Sequence, residues 1–389
     1  MSSAAGVVNA NLYYNQPLLA DMARSFHASV TQIGSVAMLV QVGCAAGVLL
    51  VVPLGDVIDR RRLLSMMCVF AAAALVGVAA APNLGVMALA SFALGLASIV
   101  PQLLLPFAAD LAEPKTKGHA LGVVLGGLLM GMVLGRALSG YIGGQFGWRA
   151  MYWMATAFVL ATALVLRIWL PRTRPRTDLS YGRLLLSLGR LLAEQPVLRE
   201  TAFTGAMLFG GLCAFWSTLI FRLEAPPYYF GSKEAGLIGM AGLVGALAPW
   251  VTGRWNDKYD ARRLTLYFAV LALLAFLAFW TLGHHLWWLV LGAMAIDIGS
   301  QCGSLCCHTR NYRLLPNATN RAATAYISIT FLGGSLGTRA ATYAWQHFGY
   351  TGVCAVGISM LSLAVISLLR PAPIARPVAQ DPAARNAGA

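Results

Sequence analysis

Twelve apolar runs, each separated from the next by charged residues or by glycine and proline, set what this chain can become. They fall near residues 4–20, 31–54, 63–81, 85–109, 119–143 and 149–170, then near 201–223, 234–252, 264–282, 286–308, 322–346 and 350–370. About 17 to 25 apolar residues carry a helix across the hydrocarbon core of a bilayer, where each backbone amide must be satisfied within its own segment. Of the 389 residues 58% are apolar and only 11% charged, too few polar groups to cover a fold of this size in water. The expected class is an all-α membrane protein of twelve transmembrane helices in two six-helix bundles, with the lipid bilayer as its solvent. The first run barely reaches spanning length, which points to a start upstream of Met1.

A net charge of +14 raises the question of a nucleic-acid partner, and the positions of the charges argue against one. With both termini in the cytoplasm, 22 of the 28 Lys and Arg fall in or beside cytoplasmic segments. Arg24, Arg149, Arg222 and Lys233 fall near outer loops, and Arg136 and Arg339 fall inside helices. That skew is the positive-inside bias, and it orients the chain in the inner membrane of a bacterium. The N-terminus has no basic leader and runs straight into Asn9, Asn11, Asn15 and Gln16, so no cleavable signal peptide is expected. All seven cysteines lie in apolar stretches, where they act as small hydrophobes rather than as a disulfide framework. Cys302, Cys306, Cys307 and His308 cluster without the paired spacing of a zinc site, and neither a metal nor a cofactor is expected.

The runs divide into a first half (1–170), a linker (171–200), a second half (201–370) and a Pro-, Ala- and Arg-rich tail (371–389) expected to be disordered. Within the linker, Leu184, Leu185, Leu188, Leu191 and Leu192 share one helical face while Arg183 and Arg190 lie elsewhere, the pattern of a helix lying on the membrane surface. Two echoes support the division. Gly55-Asp56-Val57-Ile58-Asp59-Arg60 after the second run recurs as Gly253-Arg254-Trp255-Asn256-Asp257-Lys258 after the eighth, and Phe146-Gly147-Trp148 recurs as Phe348-Gly349-Tyr350. Both repeats are parallel, offset by about two hundred residues.

On these motifs the chain resembles, over essentially its whole length, the major facilitator superfamily, and within it the twelve-helix drug/proton antiporters of bacterial inner membranes. Gly55-x-x-x-Asp59-Arg60 with Arg61-Arg62 is similar to the superfamily signature between helices 2 and 3, in a form about two residues shorter. The resemblance implies a gate, in which Asp59 faces a helix N-terminus or an arginine across the boundary between halves. Topology-setting loop charges are the alternative. Gly131-x-x-x-Gly135-Arg136-Ala137-Leu138-Ser139-Gly140 resembles the antiporter signature of helix 5, with Arg136 where a proline is usual. The glycines Gly131, Gly135 and Gly140 permit close helix packing. Asn9-x-Asn11-x-Tyr13-Tyr14-Asn15-Gln16-Pro17 in helix 1, and Pro101-Gln102 with Pro106 in helix 4, are similar to stretches of one bacterial subgroup.

An ionised side chain within a bilayer costs about 2.5 to 3.5 kcal/mol on insertion scales, so each such residue needs a partner or an aqueous cavity. Arg136 in helix 5 and Arg339 in helix 11, the latter following Gly333-x-x-x-Gly337, therefore belong either to a site for an anionic group or to interhelix ion pairs. Asp297, mid-way along helix 10 with Gln301 one turn later, is the first candidate for a proton-coupling carboxylate; the alternative is a permanent pair with Arg339 or Arg310. Asp110 and His308 lie nearer the helix ends. In the superfamily helices 1, 4, 7 and 10 surround the central cavity, which implicates Asn11, Tyr14, Asn15, Gln16, Gln102 and Gln301 in either substrate contact or internal packing. Phe215 and Trp216 read as ordinary lipid-facing or core aromatics, with an apolar wall of the cavity as the alternative.

The function expected is secondary active transport by alternating access, with proton-coupled efflux of a small organic solute by a monomer, its partners being the solute and protons. Uptake of a small organic anion with protons is the second possibility, motivated by the buried arginines. A non-transporting sensor lacks an output domain, and an enzyme lacks any nucleophile–base constellation.

Overall fold

The computed structural model describes residues 1–113, 116–171, 181–315 and 318–374. The most basic part of the linker and the end of the tail lie outside the described residues, as do the side chains of Asp56, Arg183 and Leu184.

Helices 2, 3, 5, 6 and 7 are Val30–Val51, Arg60–Ala79, Lys117–Phe146, Trp148–Trp169 and Pro196–Glu224, while helices 9 and 10 are Ala261–Leu282 and Leu286–Leu314. Helix 4 is assembled from Leu84–Ala97 and Val100–Leu111, and helix 8 from Ser232–Gly239 and Gly242–Lys258. Helices 11 and 12 form one run, Thr319–Leu369, whose backbone leaves the helical region at Gly349. Helix 1 differs from the single short helix expected at 4–20. Ser2–Ala10 passes through a turn at Asn11 and a 3₁₀ segment, Gln16–Leu18, into Leu19–Ser25. The amides of Asn11, Leu12 and Tyr13 bond three residues back, so the helix tightens where its polar residues cluster.

Polar caps start the helices where the apolar runs begin. Ser29 and Gln32 form a reciprocal capping box on helix 2, Asn83 Oδ1 accepts the Val86 amide at 3.0 Å, and Asp260 Oδ1 accepts the Arg263 amide at 2.9 Å. The echo at Phe146-Gly147-Trp148 and Phe348-Gly349-Tyr350 becomes one backbone device used twice. Gly147 has φ +85° and Gly349 φ +62°, and each reverses the chain between consecutive helices in a conformation that favours glycine.

The same repetition appears in packing. A Cβ on Gly131 would fall 2.6 Å from Gly6 Cα, and one on Gly135 would fall 3.2 Å from Ala10 Cα; in the second half, Gly333 meets Ala206 Cα at 2.5 Å and Gly337 meets Gly210 Cα at 2.7 Å. Helix 5 thus lies against helix 1 as helix 11 lies against helix 7, backbone to backbone, with small residues doing what a side chain would prevent. Large apolar residues such as Leu89, Leu164, Ile168, Trp250 and Trp280 stand exposed around the outside, where hydrocarbon rather than water solvates them.

Twelve crossings leave the linker at one end and the turns 1–2, 5–6, 7–8 and 11–12 at the other. At the end opposite the linker the halves touch. Arg24 bridges to Glu224 at 2.8 Å, Ser232 bonds Asp21, Arg339 Nη1 donates to the Thr31 carbonyl at 3.1 Å, and the Thr31 amide donates to Gln346 at 3.0 Å. At the linker end, charges pair within a half: Arg60 with Asp110 at 2.7 Å, Glu200 with Arg262 and Arg310, and Asp257 with Arg313. The linker helix, Tyr181–Glu194, buries Leu188 and Leu191, and Leu191 packs beside Leu198 and Ala322 of the second half. Tyr181 donates to the Leu50 carbonyl of helix 2 at 2.6 Å.

Candidate functional site

Arg136 and Asp297 meet at the boundary between the halves. Arg136 projects from helix 5 and is 1% exposed; Asp297 projects from helix 10 and is 0% exposed. Arg136 Nε donates to Gln16 Oε1 at 2.8 Å, which fixes the plane of the guanidinium. Two aromatic rings flank it, with Cζ 3.9 Å from the Trp216 centroid and 5.1 Å from that of Tyr13. A desolvated cation over an indole is worth about 2 kcal/mol or more, so the rings offset part of the cost of burying this charge. Nη1 stands 3.8 Å from Asp297 Oδ2, while Asp297 Oδ1 accepts the Trp216 indole N–H at 3.2 Å.

The pair is electrostatically matched and incompletely hydrogen-bonded. Arg136 Nη1 and Nη2 and Asp297 Oδ2 have no hydrogen-bond partner. A buried ion pair recovers its desolvation cost only when its remaining polar atoms are satisfied, so this one is poised rather than locked. A cavity of about 10 Å³ touches Arg136 and Gln16 and is walled by Trp216, Leu219, Ile220 and Ala235, which is room for roughly one water.

Helix 8 forms the back wall, and it does so with hydrogen atoms. A Cβ on Gly239 would fall 2.8 Å from Arg136 Cβ, one on Gly242 would fall 2.9 Å from Asp297 Oδ2 and 3.1 Å from Arg136 Nη1, and one on Gly245 would fall 2.4 Å from Asp297 Cβ. The helix is interrupted at Met240 and Ala241, beside the pair, with amide bonds three residues back on both sides of the break. Its first segment sits on helix 5, where a Cβ on Gly140 would fall 2.6 Å from Gly236 Cα. One element therefore touches the first half, then the charge pair, then helix 10.

Several expectations take a different form here. Asp297 pairs with Arg136 rather than with Arg339 or Arg310, because Arg339 reaches helix 2 at the end opposite the linker and Arg310 is held by Glu200. Of the residues expected in a gate, Asp59 accepts the Arg61 amide of its own helix, Arg60 bonds the Gly55 carbonyl and Asp110, and Asp257 pairs with Arg313. A Cβ on Gly253 would meet nothing within 4 Å. Lys258 is at the end of helix 8. Of the helix 1 candidates, Gln16 reaches the pair, while Asn11, Tyr14 and Asn15 are buried; both amide atoms of Asn11 and Oε1 of Gln102 lack partners. Gln301 Nε2 contacts Met132 Sδ of the first half at 3.4 Å. Among the described residues no group of three His, Cys, Asp or Glu is placed to hold a metal.

Trp216, expected as an ordinary or wall-forming aromatic, and Tyr13, noted only within the helix 1 stretch, take part in the charge site, and the glycines of helix 8 beside it were not singled out in the sequence. A signal for the glycines was present, since Gly236, Gly239, Gly242 and Gly245 recur every third residue. A second cavity, of about 980 Å³, lies apart from this chemistry along helices 1, 5, 6 and 8, walled by Gly126, Met130, Leu134, Phe158 and Trp250.

The chain matches the sequence profile of the Major Facilitator Superfamily over residues 1–338. It is 36% identical over 370 residues to the uncharacterized transporter YgaY of Escherichia coli O157:H7, covering 95% of this chain and 93% of that one. To SCO4007 of Streptomyces coelicolor, named a probable transporter, it is 32% identical over 375 residues, covering 94% and 85%. Among solved structures, the xylose transporter XylE from E. coli in a partially occluded inward open conformation superposes with a TM-score of 0.74 at 13% identity, covering 96% of each chain. The human organic anion transporter MFSD10 superposes with 0.69 at 17% identity, covering 94% and 98%. Two six-helix bundles, small-residue packing repeated at an offset of two hundred residues, and these matches together place the chain in the Major Facilitator Superfamily of membrane transporters.

Proposed function

We propose that the chain is a proton-coupled secondary transporter of a small organic solute, with Asp297 as the coupling carboxylate and Arg136 as its counter-charge. The observation that carries this reading is the Arg136–Asp297 pair itself, buried between the halves with Nη1, Nη2 and Oδ2 unsatisfied. Each charge belongs to a different half, so protonating Asp297 removes an attraction that acts across the moving boundary. With the linker end in the cytoplasm, as the basic residues suggest, the contacts at the opposite end seal the outer face. The loops at 55–62 and 253–263 would then meet as the cytoplasmic end closes. The unit is a monomer in the bacterial inner membrane.

Two modes use the same carboxylate. In proton-driven export the solute and the proton compete, and the cycle returns a proton inward for each solute sent out. In the second mode an organic anion moves with the proton, and the unpartnered Nη1 and Nη2 of Arg136 favour it. Reconstitution into proteoliposomes with an imposed pH gradient tests the coupling: Asp297→Asn should lose gradient-driven flux while retaining solute exchange. Gradient-driven flux at the wild-type rate in that variant sinks the assignment. Inside-out vesicles separate the modes, because export predicts accumulation in them on energisation.

A further inference from the structure

Resting on Asp297 as the coupling group, we propose that the transported solute is an organic anion whose carboxylate takes the place of Asp297 on Arg136, so that solute and proton travel together. The geometry of the guanidinium is the starting point. Gln16 occupies Nε, and the guanidinium carbon lies over the Trp216 and Tyr13 rings, which leaves Nη1 and Nη2 as the donors still free for a ligand. Those two nitrogens are donors without acceptors, buried, and arranged in the planar fork that fits a carboxylate in two parallel hydrogen bonds. Asp297 does not make that contact: its Oδ2 is 3.8 Å away, and its Oδ1 is turned to the Trp216 indole. The small cavity that touches Arg136 is walled by the apolar Leu219, Ile220 and Ala235, which would accompany a hydrocarbon body. A protonated amine has no acceptor to offer Arg136 and would add a second buried cation.

Charge balance then sets the coupling. With Arg136 and Asp297 both ionised, the site is neutral. Adding an anion alone would leave one uncompensated negative charge out of water. If Asp297 takes one proton from solvent as the anion binds, the site is Arg136 cation, solute anion and neutral Asp297, and neutrality is kept. Tyr13, Cys213 and Cys44 are the other titratable groups facing this cluster, from helices 1, 7 and 2, while helix 8 brings the backbone of Gly239, Gly242 and Gly245 against the pair. One proton is therefore taken up for each anion bound, and the two move in one direction.

The test uses the full-length protein in nanodiscs and two matched sets of probes: benzoate, benzamide and benzylamine, and hexanoate, hexanamide and hexylamine. Calorimetry in two buffers of different ionisation heat counts the protons taken up. The carboxylate of each set should bind more tightly than its amide and amine, with uptake of one proton, and its affinity should fall about tenfold per unit rise in pH. In Asp297→Asn the preference should persist without proton uptake or pH dependence. Because Arg136→Gln alone leaves a buried carboxylate unpaired, the double variant Arg136→Gln/Asp297→Asn is the control, and it should lose the carboxylate preference. Equal or tighter binding of the amine or amide, carboxylate binding without proton uptake, or no binding by any probe overturns the proposal. An amine preference together with flux that still requires Asp297 removes the anion while the coupling reading stands; gradient-driven flux surviving in Asp297→Asn removes the coupling reading.

Discussion

Arg136 is tolerable in a bilayer because four groups share the work of replacing water: a side-chain amide, two aromatic faces and a carboxylate. Removing one charge of such a pair is costly, about 3–5 kcal/mol, whereas removing both is close to neutral. Arg136→Gln should therefore lower the thermal midpoint strongly, and adding Asp297→Asn should restore most of it; thermal unfolding of the three proteins checks this. Trp216 has two separable roles. Trp216→Phe keeps a ring over Arg136 and deletes the donor to Asp297, while Trp216→Leu deletes both. A hydrogen bond to a charged group is worth about 1.5–3 kcal/mol, so the initial transport rate should fall by roughly tenfold or more in Trp216→Phe and further in Trp216→Leu. The cost of a charge in hydrocarbon made Arg136 and Asp297 legible in the sequence one at a time. Their pairing was not legible, because it depends on the depth and rotation of helices 5 and 10. An indole in an apolar run reads as an ordinary aromatic until its N–H is seen to have a destination.

At the scale of elements, glycine placement decides how near helices come. Gly242 and Gly245 hold helix 8 against the charge pair, and Gly253, farther along the same helix, faces open space. Overpacking of this kind costs about 1–3 kcal/mol. Gly245→Val should lose stability in that range, Gly242→Ala should lose transport with a smaller loss of stability, and Gly253→Ala should match the wild type in both measurements. The turns at Gly147 and Gly349 test backbone conformation alone, since a Cβ at either would meet nothing within 4 Å. Each substitution to Ala should cost about 1–3 kcal/mol, and because the sites are separate the double variant should show the sum in chemical denaturation. The phrases around these two glycines were visible as a repeat in the sequence, and the repeat correctly marked two equivalent turns. Helix 1 was expected over 4–20 because that is where its apolar run lies, whereas the segment continues through tightened turns to Ser25.

For the whole molecule, the end opposite the linker is where the halves are joined, through Arg24–Glu224, Asp21–Ser232 and Arg339–Thr31. The Arg24–Glu224 pair is exposed and contributes on the order of 0–1 kcal/mol, weak enough to break in each cycle. If the halves must part there, joining them covalently should stop transport. Arg24→Cys/Glu224→Cys, oxidised or bridged by a short bifunctional reagent, should lose solute flux and regain it on reduction; undiminished flux in the bridged protein would exclude rocking at this end. Among the charges from which a gate at the linker end was expected, Arg60 pairs with Asp110 and Asp257 with Arg313, each within its own half. A loop motif specifies which charges are available. Which partner they take depends on how far apart the halves stand.

By itself the sequence determined that the chain would be helical, membrane-spanning and doubled. Hydrocarbon accepts backbone only when it is internally bonded, and that demand acts on every run separately, so it can be read one run at a time. Only the tertiary structure decided that Arg136 would face Asp297, that Trp216 and Tyr13 would flank the guanidinium, and that helix 8 would close the site with glycine. Those contacts join residues more than fifty positions apart on different helices, and their geometry is set by the rotation and depth of each helix in the bundle, which local pattern does not encode.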